Sequence, residues 1–107
     1  MERVELLTVK DSFQLSGIGL TFMPDFSVPR NWQNVVERIV IETPDGRQFE
    51  AVAQFNMTHF NIKDPEASVD RRWRVLVTLP NTPKDQVPLG SRLLVSPEIR
   101  NALLGGA

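Results

Sequence analysis

The chain has 107 residues, with 12 Lys plus Arg against 13 Asp plus Glu for a formal net charge of -1, one His, and neither Cys nor Tyr. Without cysteine there is no disulfide framework, thiolate nucleophile, iron–sulfur cluster or cysteine-based zinc site, which points to a reducing, cytoplasmic setting. The near-neutral balance excludes a broad basic field of the kind that drives non-specific nucleic-acid binding, and no apolar run approaches the roughly 18 residues that cross a bilayer.

A chain of this size builds one core and buries roughly two-thirds of its unfolded surface. Eight prolines, at 24, 29, 44, 65, 80, 83, 88 and 97, divide it into lengths that suit strands better than long helices. Val4 to Val9 and Ser12 to Leu15 read as short strands. Gly17 and Gly19 bracket Ile18 as a bend or bulge, after which Ile18, Leu20 and Phe22 share one face. Between 31 and 36 two patterns compete. Trp32, Val35, Val36, Ile39 and Val40 fit helical spacing with Asn31 as N-cap, whereas adjacency to the next segment favours a strand from about Val36, after at most one helical turn at 31 to 35.

That next segment is the clearest local signal. Arg38-Ile39-Val40-Ile41-Glu42-Thr43 and Arg47-Gln48-Phe49-Glu50-Ala51-Val52-Ala53 are two β-prone runs joined by Pro44-Asp45-Gly46, which predicts a hairpin. Residues 54 to 62 alternate less cleanly, with Thr58, Phe60 and Ile62 read as inward and Phe55, Met57 and His59 as the opposite side. Trp73 to Leu79 is a strand whose odd positions, Trp73, Val75, Val77 and Leu79, face the core. Lys63 to Asp70 and Pro80 to Gly90 read as polar loops, and Ser91 to Val95 as the last strand, closed by Pro97. Residues 1–97 are thus expected to form one β domain and 98–107 a short tail that either forms a weak helix or frays.

Two stretches carry a family resemblance. Val9-Lys10-Asp11-Ser12-Phe13-Gln14-Leu15-Ser16-Gly17-Ile18-Gly19-Leu20-Thr21-Phe22 resembles the opening of the second domain of translational GTPases such as elongation factor Tu, where an acidic residue, an aromatic and a Gly-x-Gly bend lead into the next strand. Arg74 to Leu79, followed by Pro83-Lys84-Asp85-Gln86-Val87-Pro88-Leu89-Gly90-Ser91-Arg92-Leu93-Leu94-Val95, is similar to that domain's closing portion. The resemblance spans most of residues 4 to 97 and implies a single small antiparallel β-barrel of the translation-factor domain 2 type, without the GTPase domain. Closure of such a barrel would remove free sheet edges. It assigns structural roles to positions 11, 13, 17, 19 and 90. Ile18 stands where the family has a basic residue, the Pro24-Asp25 region stands where it has a glycine, and no Gly-x-x-x-x-Gly-Lys-Ser/Thr phosphate loop occurs.

For chemistry the sequence offers little beyond one cluster. His59, as the only histidine, reads as a partly exposed strand residue rather than a ligand or triad member. Glu42 and Glu50 approach across the hairpin as a solvated face. Asp64, Glu66 and Asp70 lack the glycine and terminal glutamate of a calcium loop, and Asn56-Met57-Thr58 is a chance glycosylation match in a cytoplasmic chain. The cluster is Arg71-Arg72-Trp73-Arg74, which Arg30-Asn31-Trp32 could join in space. It combines guanidinium with aromatic groups, which anchor protein interfaces, hold phosphate or stack on bases. Alternation sends Trp73 inward and Arg72 and Arg74 to the surface.

Arg30, Trp32, Arg71, Arg72 and Arg74 are therefore the candidate binding residues. The chain is expected to be a non-catalytic module without cofactor or metal that docks to a protein, as an inhibitor, an immunity protein or a small assembly subunit. An RNA- or ribosome-associated role stands second, and a membrane is not expected.

Overall fold

The computed structural model describes residues 2–59 and 73–105. They form β1 (Val4–Thr8), β2 (Asp11–Leu15), β3 (Gly19–Ser27), β4 (Val35–Glu42), β5 (Gln48–His59), β6 (Trp73–Leu79) and β7 (Arg92–Val95), with a 3₁₀ turn at Lys84–Gln86. A short helix, α1 (Pro97–Arg100), continues as a π-helical turn over Asn101–Gly105. The predicted hairpin is present, β4 pairing with β5 from Glu42↔Gln48 to Val35↔Phe55. Pro44 presets its turn, Gly46 N donates to Thr43 O at 2.9 Å, and Gly46 takes φ +91°, a conformation that costs glycine little. Residues 31–34 do not form a helical turn. Asn31 has φ +58° and Trp32 N donates to Pro29 O at 3.2 Å in a tight turn. β4 then starts at Val35, from where β5 offers each residue a ladder partner.

All pairings are antiparallel, in the order β1-β7-β4-β5-β6-β3-β2, and the sheet curls into a half-barrel. β1 and β2 stand at opposite ends of that order, yet only Val9 and Lys10 separate them along the chain. On the β7 side, Val9 N donates to Ser91 O at 2.8 Å and Val9 O accepts from Gly90 N at 2.9 Å. On the β3 side, Lys10 N donates to Met23 O at 2.9 Å. One bent run therefore serves both flanks of the curled sheet.

The split in that run leaves two openings. α1 packs on β1 and the π turn on β3, which buries Ile99 and sets Leu103 against the core. The helix is anchored at its start, where Ser96 Oγ accepts from Ile99 N at 3.3 Å and donates to Glu37 Oε1 at 2.9 Å. Much of the segment read as a tail from residue 98 is thus seated on the sheet. At the second opening the 3₁₀ turn packs on β2, and Val87 behind it is buried.

The core is the inner face of the curl: Leu20 and Phe22 of β3, Ile39 and Ile41 of β4, Ala53 and Phe55 of β5, Val75, Val77 and Leu79 of β6, and Leu93 and Val95 of β7. A register shift between Glu5 and Leu7 lets both Leu6 and Leu7 point inward from β1. Pro24 does not end a strand. It lies in β3 where the pairing with β6 shifts between Phe22 and Phe26, at a bulge that asks for no regular ladder donor.

Several placements differ from the sequence pattern. Ile18 does not share the face of Leu20 and Phe22; it is 55% exposed at the β2–β3 tip, because the positive φ angles of Gly17 and Gly19 break the alternation between them. Phe55 belongs to the core, and Met57 to the same inward face, rather than to the opposite side, since the odd residues of β5 keep the inward period from Phe49 onward. Trp73 does face inward in period, but it pairs with His59 at the last ladder position, past the edge of the core, and is 38% exposed. Phe60 and Ile62 lie outside the described residues.

Candidate binding surface

The candidate residues that the structure describes gather at one end of the sheet. β3 finishes with Ser27 opposite Arg74, β4 begins with Val35 opposite Phe55, and β5 and β6 meet at His59 and Trp73. The connection carrying Arg30 and Trp32 therefore runs past the same end that carries Trp73 and Arg74. Asn34 ties the two sides together, its Oδ1 accepting from Met57 N at 2.8 Å. Arg30 is exposed, and Trp32 is half-buried beside Val28 and Val35 against the core. The indole Nε1 of Trp32 is buried and has no hydrogen-bond partner among the described residues. Arg71 and Arg72 lie outside the described residues.

Arg74 is not a surface cation reaching into solvent. Its Nε donates to Asp25 Oδ2 at 3.1 Å, Nη2 donates to Asp25 Oδ1 at 3.4 Å, and Nη1 donates to Ser27 Oγ at 3.3 Å. The two-pronged geometry fixes the guanidinium plane against β3 and offsets its charge locally. Alternation along β6 correctly predicts that Arg74 points away from the core, but it gives no sign of the partner 49 positions earlier.

Met57 is the residue that sequence reading missed as a site component. It lies on the inward face of β5, opposite Val75, and it is 39% exposed. Trp73 and Met57 thus extend the apolar face of β6 and β5 beyond the core to solvent. The signal was available: Phe49, Ala51, Ala53, Phe55 and Met57 form one unbroken alternating apolar set.

The remaining chemical candidates separate. Glu42 and Glu50 do not converge, since Glu42 pairs across the hairpin with Gln48 and Glu50 with Val40. Glu42 Oε2 accepts from Gln48 Nε2 at 2.7 Å and Glu42 also pairs with Arg92, while Glu50 lies 3.7 Å from Arg38. An open depression of about 360 Å³ lies over that last pair and Asn81. Asp64, Glu66 and Asp70 lie outside the described residues, among which no group of three or more His, Cys, Asp or Glu side chains is placed to hold a metal ion. Asn56, the sequon residue, is committed to the strand, its Nδ2 donating to Gln54 Oε1 at 3.3 Å.

Asp45 in the hairpin turn is the carboxyl held below its ordinary value. The hydrogen bond from the Thr43 hydroxyl is the main cause; the backbone amide and charge of Arg47 add to it, and partial desolvation opposes it. Its place in the turn explains it as a turn-stabilising group. No helix among the described residues is long and apolar enough to cross a membrane. Comparison of the chain with protein-family models, with curated proteins and with solved structures gives no match.

Proposed function

We propose that this domain is a non-catalytic binding module that docks to a protein partner through the end of the sheet built by Trp32, Met57 and Trp73. It would act in the cytoplasm as an inhibitor, an immunity protein or a small subunit of a larger assembly. The observation that supports this reading is the run of apolar side chains leaving the core. Met57 and Trp73 continue the inward faces of β5 and β6 into solvent beside a half-buried Trp32, with Arg30 exposed nearby. A large aromatic set in a partly desolvated surface, with guanidinium groups at its edge, is the composition of an interface anchor.

The resemblance to the second domain of translational GTPases belongs with this proposal. A curled, all-antiparallel sheet is in keeping with it, at the level of fold alone. It suggests the second reading, an RNA- or ribosome-associated role, which draws on two Trp and two Arg residues at one end of the sheet. The carboxylate of Asp25 on Arg74 favours the protein partner, because a phosphate would have to displace it.

A photo-reactive amino acid at Met57, in the full chain expressed in its native cells, should give a discrete protein adduct that Trp73→Ala or Arg30→Glu reduces by about tenfold. The same group at Gln48, at the far end of β5, should give none. A Met57 adduct that nuclease removes would transfer the site to the RNA reading. No adduct at Met57, or equal adducts at both positions, would sink the proposal.

A further inference from the structure

β2 stands at the end of the strand order and, among the described residues, pairs with β3 alone. The 3₁₀ turn Lys84–Gln86 packs beside it but makes no backbone hydrogen bond to it. Natural sheets blunt such an edge with charge or proline. β2 has neither beyond its first residue: positions 12 to 24 contain no Asp, Glu, Lys, Arg or His, in a chain that is 23% charged. Phe13 and Leu15, two apart and so on one face, are 43% and 39% exposed.

We propose that this edge pairs with the β2 edge of a second copy of the chain, antiparallel about a two-fold axis at Gln14. The strand is complementary to itself in that register. Phe13 falls opposite Leu15 of the other copy and Leu15 opposite its Phe13, giving two apolar cross-strand pairs on one face. Ser12 falls opposite Ser16, and the two Gln14 amides meet at the axis with a donor and an acceptor each. Lys10 and Asp11 fall opposite Ile18 and Gly17, so no like charges meet and no charge faces Phe13 or Leu15. A centre one residue earlier sets Asp11 against Leu15 and forfeits this match, which selects Gln14. Pairing would join two curled sheets into one continuous sheet and give the outward backbone groups of β2 ladder partners in both copies, the Ser12 amide exchanging the Asp11 Oδ1 to which it donates at 2.8 Å for a carbonyl across the axis.

Sedimentation equilibrium of the full chain from roughly 1 µM to 1 mM, the range in which a small interface reports, tests this. The expected result is a concentration-dependent dimer. Gln14→Lys, at an exposed position and so expected to leave the thermal unfolding curve unchanged, places two ammonium groups together at the axis. It should raise the dimer Kd by about tenfold or more. Register is tested by mixing a Phe13→Lys chain with a Leu15→Glu chain. Each alone should associate more weakly than the parent, and the mixture should form a heterodimer of near-parental affinity. A parent chain that stays monomeric over the whole range overturns the proposal. So does a dimer indifferent to Gln14→Lys, or the absence of a heterodimer in the mixture.

Discussion

Gly19→Ala should be the most damaging single-methyl change in the β2–β3 turn, and Gly17→Ala supplies its internal control. Both residues have positive φ, +77° at Gly17 and +127° at Gly19. A Cβ at Gly17 meets nothing within 4 Å, so the cost there is conformational, about 1–2 kcal/mol. A Cβ at Gly19 would lie 2.7 Å from Pro80 Cα and 2.8 Å from Leu79 O. These are backbone atoms of the last residue of β6, which pairs with β3 through Leu20↔Leu79, and of the residue after it, and they cannot swing aside as a side chain would. Bringing the nearest contact to 3.4 Å requires β3 and β6 to separate by about 0.7 Å, the difference from 2.7 Å. Overpacking of that kind costs roughly 1–3 kcal/mol. Added to a φ cost of about 1–3 kcal/mol, this makes a total near 2–6 kcal/mol, a large part of the stability of a small domain. Urea unfolding followed by circular dichroism should place Gly17→Ala and Gly46→Ala together and Gly19→Ala well below them. If Gly19→Ala unfolds within about 0.5 kcal/mol of Gly17→Ala, the close approach of the two strands is not what selects glycine there.

Two further outcomes follow from single groups. Thr43→Val removes the hydroxyl that donates to Asp45, so the Asp45 carboxyl should titrate closer to its ordinary value, measured by carbon-detected NMR. Because the folded-state value is depressed, the contribution of this group is fully present above the ordinary carboxylate range and is lost as pH falls through the folded value; Thr43→Val should flatten that acid-side loss. Trp32→Phe removes a buried donor with no acceptor among the described residues, which offsets the lost ring contacts. It should stay within about 1 kcal/mol of the parent while Trp32→Ala loses roughly 2–4 kcal/mol. A loss above about 2 kcal/mol for Trp32→Phe in thermal unfolding would show that the indole N–H has an acceptor.

How far the fold can be read from the chain depends on the range of the interaction that decides each element. The β4–β5 hairpin is visible because Pro44, Asp45 and Gly46 act on their own backbone, and β6 because one apolar set repeats every second residue. Ile18 and Phe55 are harder. At Ile18 two glycine φ angles reset the face, and at Phe55 the period must be followed from Phe49 rather than judged over 54 to 62 alone. The site is legible as a list of residue types and partly as a place. Arg30 and Trp32 reach the end occupied by Trp73 and Arg74 because β3 and β4 pair with β6 and β5, a consequence of topology. The ion pair of Arg74 with Asp25 has no local signal, since it depends on the register shift across β3 that sets Ser27 opposite Arg74. The same limit applies to Val9, which reads as the end of one strand and proves, with Lys10, to be the bend that lets one run serve both flanks.

The near-zero net charge acquires a spatial meaning from these pairings. Of the seven described arginines, four are matched by carboxylates close at hand: Arg38 with Glu50 at 3.7 Å, Arg47 with Asp45 at 3.2 Å, Arg74 with Asp25 at 3.1 Å, and Arg92 with Glu42 and with Glu5 at 3.4 Å. The Arg38–Glu50 and Arg47–Asp45 pairs are exposed and add little to stability, whereas Arg74 and Asp25 are largely buried; the effect all these pairs share is on the field they cancel. The strand faces carrying them are neutral at short range as well as in sum, which leaves them little to steer a polyanion with. Exposed apolar side chains lie at Met57 and Trp73 on one end, at Phe13, Leu15 and Ile18 along the β2 edge and its tip, and at Val36, Val52, Leu89 and Leu104 besides. Recognition by this domain is therefore expected to depend on shape and buried apolar area at an end or an edge, and to change little with ionic strength.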